Sequence, residues 1–256
     1  MTKVKAERGY LVPAVDTPSV DYLACAIRLA ESIRCWHPDA NISVLTVRRC
    51  DHPVFNHVLS LPHGDLGGYA NDWQVFGASP YRQTIKLEAD MLAVSPVDHW
   101  WTLFEHRDLV ISTGARDWLD RPITTRHYRK TFDDNHLPDV YNAITYWRLS
   151  PTAQEFFALV RAMFEDWSRC RQLLKFPDDQ PTTDVIYAMA AQIMGPDRVT
   201  LPAGLGPTIV HMKRHAIGGQ TDDWTDELIW ERTDGSLSIQ TLRQWGFFHY
   251  HHKHWT

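Results

Sequence analysis

The chain has 256 residues, 44% of them hydrophobic, which is long enough for one large core, and its net charge of -5 argues against a generic nucleic-acid-coating protein. Its four cysteines, Cys25, Cys35, Cys50 and Cys170, form neither a CxxC pair nor a zinc-like spacing, which argues against a disulfide framework or structural zinc. Its longest apolar stretches are too short for a bilayer and Met1 to Tyr10 lacks the apolar region of a secretory signal, so a soluble, cytoplasmic protein with no membrane partner is expected.

Tyr10 to Val15 is an apolar run ending at Asp16, and Asp21 to Cys35 carries Tyr22, Ala26, Leu29, Ala30 and Ile33 at helical period. After the break at Pro38-Asp39, Ile42 to Val47 alternates and is rich in β-branched residues, which predicts a second strand. A βαβ unit therefore opens the chain and implies a parallel sheet that binds ligands at its strand C-termini. Pro53 to Ser79 is glycine-containing and aperiodic, and is expected to be loop. Thr84 to Leu87 reads as a short strand running into Glu88-Ala89-Asp90, where two acids interrupt an otherwise apolar segment.

Leu109 to Thr113 and Tyr141 to Trp147 are further strands, separated by a polar, basic insertion from Arg116 to Asp139. Thr152 to Cys170 is an amphipathic helix, and Thr183 to Met194 is a second one that stops at Gly195-Pro196. Thr208 to Val210 is a strand, and beyond it the chain is an aperiodic tail crowded with histidine at its end. The expected fold class is α/β, a Rossmann-like, mainly parallel central sheet flanked by helices. The expected organisation is one domain over 1–256, with a nucleotide-binding half to about residue 95 and an acceptor half after it.

Acids after a strand are most often solvated turn residues. A Glu-x-Asp pair there also suits a hard cation such as Mg²⁺ or Mn²⁺, which takes oxygen ligands from one or two carboxylates and from substrate phosphates.

The segment Ser79 to Leu92, ending in Glu88-Ala89-Asp90, resembles the Asp-x-Asp metal motif region of GT-A glycosyltransferases, particularly glycogenin-like and bacterial galactosyltransferase-like members, with Glu in place of the first Asp. Ala14-Val15-Asp16, Asp21-Tyr22 and the following Ala26 to Ile33 are similar to the family's first strand, nucleotide-contacting loop and first helix. Tyr141-Asn142-Ala143-Ile144 resembles its Asn-bearing segment, with Ile144 where Gly is usual, and Thr183 to Tyr187 its acidic helix start. The resemblance implies transfer, in the retaining sense, of a sugar from a nucleoside-diphosphate sugar, a uridine diphosphate sugar first, to a hydroxyl acceptor. Val15, Asp16 and Tyr22 would hold the nucleoside, and Asp184 and Asn142 the sugar. Glu88 and Asp90 would hold Mn²⁺ or Mg²⁺, Arg82 or Lys86 would neutralise charge, and Lys213 or Lys253 would reach the diphosphate.

In this family a histidine near the domain end completes the metal site. His211, at a strand end, is favoured here, and His249, followed by Tyr250, Lys253 and Trp255, is the alternative. Asp98 to Trp101 and Thr131 to Asn135 are similar to glycosyltransferase-like proteins of tailed bacteriophages. That similarity suggests a hydroxylated or hydroxymethylated base of double-stranded DNA as acceptor, with Arg121, Arg126, Arg129 and Lys130 on its phosphates. Two other readings stay open: a nucleotidyltransferase, which would normally carry a glycine-rich phosphate loop near the first strand, and a non-catalytic nucleotide- or carbohydrate-binding module.

Overall fold

The computed structural model describes residues 6–202, 205–233 and 235–253; Met1–Lys5 and the Trp255 of the expected Lys-x-Trp ending lie outside them. The strands are β1 (Ala6–Pro13), β2 (Ile42–Leu45), β3 (His57–Leu59), β4 (Tyr81–Leu87), β5 (Met91–Ala93), β6 (Leu109–Thr113), β7 (Ala115–Arg116), β8 (Val140–Arg148), β9 (Ile209–His211), β10 (Trp230–Thr233), β11 (Ser236–Ile239), β12 (Leu242–Arg243) and β13 (Phe247–His249). The central sheet has the order β3-β2-β1-β4-β8-β6, and within it only β8 runs against its neighbours. The expected α/β architecture, a mainly parallel sheet flanked by helices, is present.

Both faces of the sheet are covered, which is why its strands read as near-continuous apolar runs. Along β1, Tyr10 and Val12 point into one core with Leu29 and Ile33 of the helix Tyr22–Trp36, while Leu11 points into the other with Phe156 and Val160 of the helix Pro151–Glu165 and Ile186 of the helix Thr183–Met194. The helix starts are capped by side chains accepting from backbone N–H groups: Asp21 from Ala24 at 2.8 Å, Ser150 from Ala153 at 3.2 Å and Thr182 from Val185 at 3.4 Å. No described helix is long and apolar enough to cross a membrane.

Several expectations are corrected. The 53–79 stretch is not loop throughout: it contains β3, a 3₁₀ segment at Gly68–Gln74 and the short helix Val75–Ala78. The helix expected over 152–170 is two, Pro151–Glu165 and Trp167–Leu174, because Asp166 leaves helical geometry at φ -112, ψ 40. The tail after residue 210 is structured. β13 joins a second sheet of order β5-β13-β9-β7, and β10, β11 and β12 form an antiparallel meander.

One expectation about β4 fails for a reason internal to the fold. Lys86 alternates onto a covered face of a central strand, and its ammonium lies 3.0 Å from Asp72 Oδ1 and donates to Asn142 O at 3.1 Å. Tyr187 donates its hydroxyl to the other oxygen of Asp72. With only 2% of its side chain exposed, Lys86 is an internal ion-pair partner and not a free charge at the strand end. Lys86→Met leaves the Asp72 carboxylate buried without its cation, and is expected to cost about 3–5 kcal/mol. Thermal denaturation monitored by circular dichroism should show the melting temperature fall by roughly 6–15 °C.

Candidate metal centre and donor site

β4 ends at Leu87, where Glu88 N–H donates to Ala143 O at 3.1 Å, and the chain turns through Ala89 and Asp90 into β5. β5 pairs antiparallel with β13, which sets His249 opposite Met91, and Tyr250 N–H donates to Asp90 O at 3.3 Å. That register brings a histidine from the far end of the chain onto the acids. His249 Nε2 lies 2.9 Å from Asp90 Oδ2 and 3.4 Å from Glu88 Oε2, and Lys253 Nζ pairs with the same Asp90 oxygen.

One ligand atom from each of Glu88, Asp90 and His249 lies within 4.8 Å of the others. Two carboxylate oxygens and an imidazole nitrogen form a donor set suited to Mn²⁺, and Mg²⁺ would lean more on the oxygens. Asp90 is 4% exposed and His249 5%, while the Glu88 side chain reaches solvent. Burial lowers the His249 pKa, opposed by the Glu88 charge, so the ring is neutral at pH 7, the form that ligates metal. Burial also lowers the Lys253 pKa, again opposed by Glu88.

His211 stands elsewhere than expected. β13 lies between β5 and β9, so His249 neighbours the acidic turn and His211, its register partner on β9, sits one strand spacing farther away, about 4.8 Å. The acidic pair thus meets His249, the alternative, and His211 joins His249 and His251 instead. The 3.2 Å contact between His251 Nε2 and His211 Nδ1 closes that group. Lys213 is exposed beside it, and its charge helps hold all three rings neutral, with burial the larger cause.

At the end of β1, Val15 leads into the turn that carries Asp16. Asp16 accepts from Leu23 N–H at 3.0 Å and from Arg48 at 2.7 Å, and Arg48 also reaches Asp21 at 3.1 Å. Arg48 escapes a sequence reading because it stands in a polar turn just past β2. Tyr22 opens the first helix with its ring 5.6 Å from Lys253 Nζ. Its phenol is pushed up to about 12, by burial first and then by Glu88, so Tyr22, Lys253 and the acids share one locality. Beside them a cavity of about 240 Å³ is lined by Val20, Asp21, Ala24, Arg28 and Lys253. Arg82 is at the wrong end: six residues before Glu88 on an extended strand is about 20 Å away. It lies solvent-exposed, 3.7 Å from Glu7.

On the β8 side of the acidic turn, Asp184 Oδ1 accepts from Asn142 N–H at 2.9 Å, and Asn142 adjoins the residue that accepts from Glu88 N–H. Tyr69, from the stretch read as loop, is solvent-accessible, and its phenol is raised by partial desolvation and then by the charges of Glu88 and Asp184.

The basic insertion is not a free cationic face. Arg121 pairs with Asp117 at 2.7 Å, Arg129 with Asp133 at 2.8 Å and Asp139 at 3.0 Å, and Lys130 with Asp134 at 2.6 Å. Arg126 is buried between the rings of Phe132 and Tyr141, at 3.6 and 4.4 Å, and bridges Asp139 at 2.5 Å and Asp184 at 3.1 Å. No acid lies between Arg121 and Phe132, but the fold supplies them from either side. Arg126→Ala should therefore cost about 2–4 kcal/mol, below a fully enclosed pair because both carboxylates touch water. Lys130→Ala should leave the denaturation midpoint unchanged, as for a fully solvated pair. Urea denaturation of the two variants checks the contrast.

No family model and no curated protein matches the chain. Its structure is similar to that of the galactosyltransferase LgtC in complex with donor and acceptor sugar analogues, at 13% identity and TM-score 0.48 over 71% of this chain and 70% of that one. Mouse xyloside xylosyltransferase 1 is similar at 10% identity and TM-score 0.47, over 76% of this chain and 84% of that one. The glycosyltransferase GlyE of Streptococcus pneumoniae TIGR4 is similar at 10% identity and TM-score 0.44, over 76% of this chain and 45% of that one. Likenesses this distant leave donor, acceptor and site to this chain's own residues.

Proposed function

We propose that the protein is a metal-dependent glycosyltransferase of the GT-A type that moves a sugar from a nucleoside-diphosphate sugar, a uridine diphosphate sugar first, to a hydroxyl acceptor with retention. One observation carries the reading: Glu88, Asp90 and His249 converge at the C-terminal end of a central strand with the Lys253 ammonium against Asp90. Mn²⁺ or Mg²⁺ held there would act as a Lewis acid on the departing diphosphate. Lys253 supplies a point charge for the phosphates, and Lys213, on the far side of the histidines, is the weaker candidate. Asp16 and Tyr22 take the nucleoside side. Asp184, fixed by Arg126 and by Asn142 N–H, positions the sugar together with Asn142.

The connection from β1 to the first helix favours this reading over a nucleotidyltransferase. Ala14 to Asp21 contains no glycine and carries two acids near the helix N-terminus, where a phosphate-cradling loop would need bare backbone N–H groups. The acceptor is assigned no further than a hydroxyl. A hydroxylated or hydroxymethylated base in duplex DNA loses the cationic surface expected to hold its phosphates, and enters the test as one acceptor among several.

The test is a screen of nucleotide sugars with Mn²⁺, reading nucleoside diphosphate release with and without acceptors. Asp90→Ala should lower the rate by about 100-fold or more, and His249→Ala by about tenfold to 100-fold, the scale of losing one electrostatic or metal-holding group. Donor binding without turnover under every acceptor would leave a binding module, and pyrophosphate release in a parallel assay with a nucleoside triphosphate and a sugar 1-phosphate would point to a nucleotidyltransferase.

A further inference from the structure

His211, His249 and His251 bring one ligand nitrogen each to within 4.8 Å of one another. They come from two different strands and the residue pair beyond β13. Parallel pairing of β9 with β13 sets His211 beside His249, and the chain then folds back at His251, which takes a left-handed conformation at φ 55. His249 and His251 stack with centroids 3.9 Å apart and planes 25° from parallel, and each stands edge-on to His211, at 5.2 and 4.3 Å, so a turn of one stacked ring is needed to bring both lone pairs onto one ion.

The His251 Nε2 to His211 Nδ1 separation is 3.2 Å. Two nitrogens about 2.0–2.1 Å from one tetrahedral ion stand about 3.3 Å apart, so these two already have the spacing of ligands on a common zinc. His249 adds a third ring nitrogen within the same reach. Its Nε2 faces the Asp90 and Glu88 carboxylates, while its Nδ1 is buried with no hydrogen-bond partner among the described residues. Two carboxylates in front of Nε2 favour the tautomer that carries the proton there and donates it to Asp90, which leaves a bare lone pair on Nδ1.

We propose that His211, His249 and His251 form a second metal site, specific for a nitrogen-preferring divalent ion such as Zn²⁺, which competes with the carboxylate site for His249. Imidazole ligands favour zinc, whereas carboxylate-rich sites favour magnesium and manganese. A neutral imidazole has a single lone pair, so His249 serves one ion or the other. Zinc at the three rings withdraws the third ligand from the acidic pair and weakens the hold on Mn²⁺ there.

The test uses the full chain and reads binding alone, so it stands whether or not the transferase reading does. Zn²⁺ affinity is measured by calorimetry, and Co²⁺ serves as a spectroscopic probe whose visible absorption reports a tetrahedral nitrogen site. His211→Gln and His251→Gln are each expected to weaken Zn²⁺ binding by about tenfold or more, on the scale of losing a ligand or its support. The pair Glu88→Gln with Asp90→Asn should leave tight Zn²⁺ binding in place, and one equivalent of Zn²⁺ should weaken Mn²⁺ binding in an electron paramagnetic resonance titration of the unmodified chain. Because His211 is buried, the half-buried His251 provides the variant that keeps the fold. The double change His252→Ala with His254→Ala separates the built site from adventitious binding by the tail, and should alter nothing. Zn²⁺ affinity indifferent to both His211 and His251, lost with the tail histidines, or lost with the acidic pair overturns the proposal. So does Mn²⁺ binding untouched by zinc.

Discussion

The site depends on the antiparallel pairing of β5 with β13, which sets Phe247, Phe248 and His249 opposite Ala93, Leu92 and Met91. β5 is the three-residue continuation of the acidic turn, so whatever strand pairs with it is delivered beside Asp90. The same pairing buries Leu92 and Phe248 in a separate core with Val210, Trp224 and Leu237. That core stabilises the C-terminal segment, and the register it enforces admits no slip, since a shift by one residue would turn His249 to the opposite face. Apolar packing on one side of a short strand thus decides where a polar group stands on the other.

A second constraint acts beneath the site. The central sheet is covered on both faces, so every charge that points inward must be matched there. Lys86 meets Asp72 and Asn142 O, Asn142 N–H meets Asp184, and Asp184 meets Arg126, which meets Asp139. These links form one continuous run from the strand before the acids to the start of the helix Thr183–Met194. Asp184 and Asn142 are consequently fixed through the backbone and through a planar guanidinium, an arrangement that positions groups before any ligand arrives.

What the sequence makes legible is what local periodicity can carry. The helices Tyr22–Trp36 and Thr183–Met194 show helical period, the strands β1, β2, β6 and β8 stand out as short runs rich in apolar and β-branched residues, and the acids at 88 and 90 stand out because they interrupt such a run. β13 and β9 have three residues each, too few for any period to register, and the partner that gives β13 its meaning lies over 150 residues earlier. A preference for His211 over His249 could not be corrected without that long-range pairing. Arg126 misleads for a related reason: charge runs are usually solvated, and nothing local announces that Phe132 and Tyr141 will enclose one guanidinium while Lys130 stays outside. Lys86 sits in a strand whose alternation alone gives no hint that both faces are covered, or that Asp72 will return from the preceding segment.

Charge balance at the acidic turn ties the two halves of the proposed mechanism together. Glu88 and Asp90 contribute two negative charges, one of them almost fully buried, and the neutral His249 ring cannot offset them. Lys253 supplies one positive charge, from a position held by its ion pair with Asp90 and its approach to the Tyr22 ring. On the proposed reading a divalent cation matches both carboxylates by itself, which releases the Lys253 ammonium as net positive charge at the mouth of the site. An anionic diphosphate is then the natural next partner: metal binding and donor binding are coupled through one lysine whose place beside Asp90 only one cation can occupy.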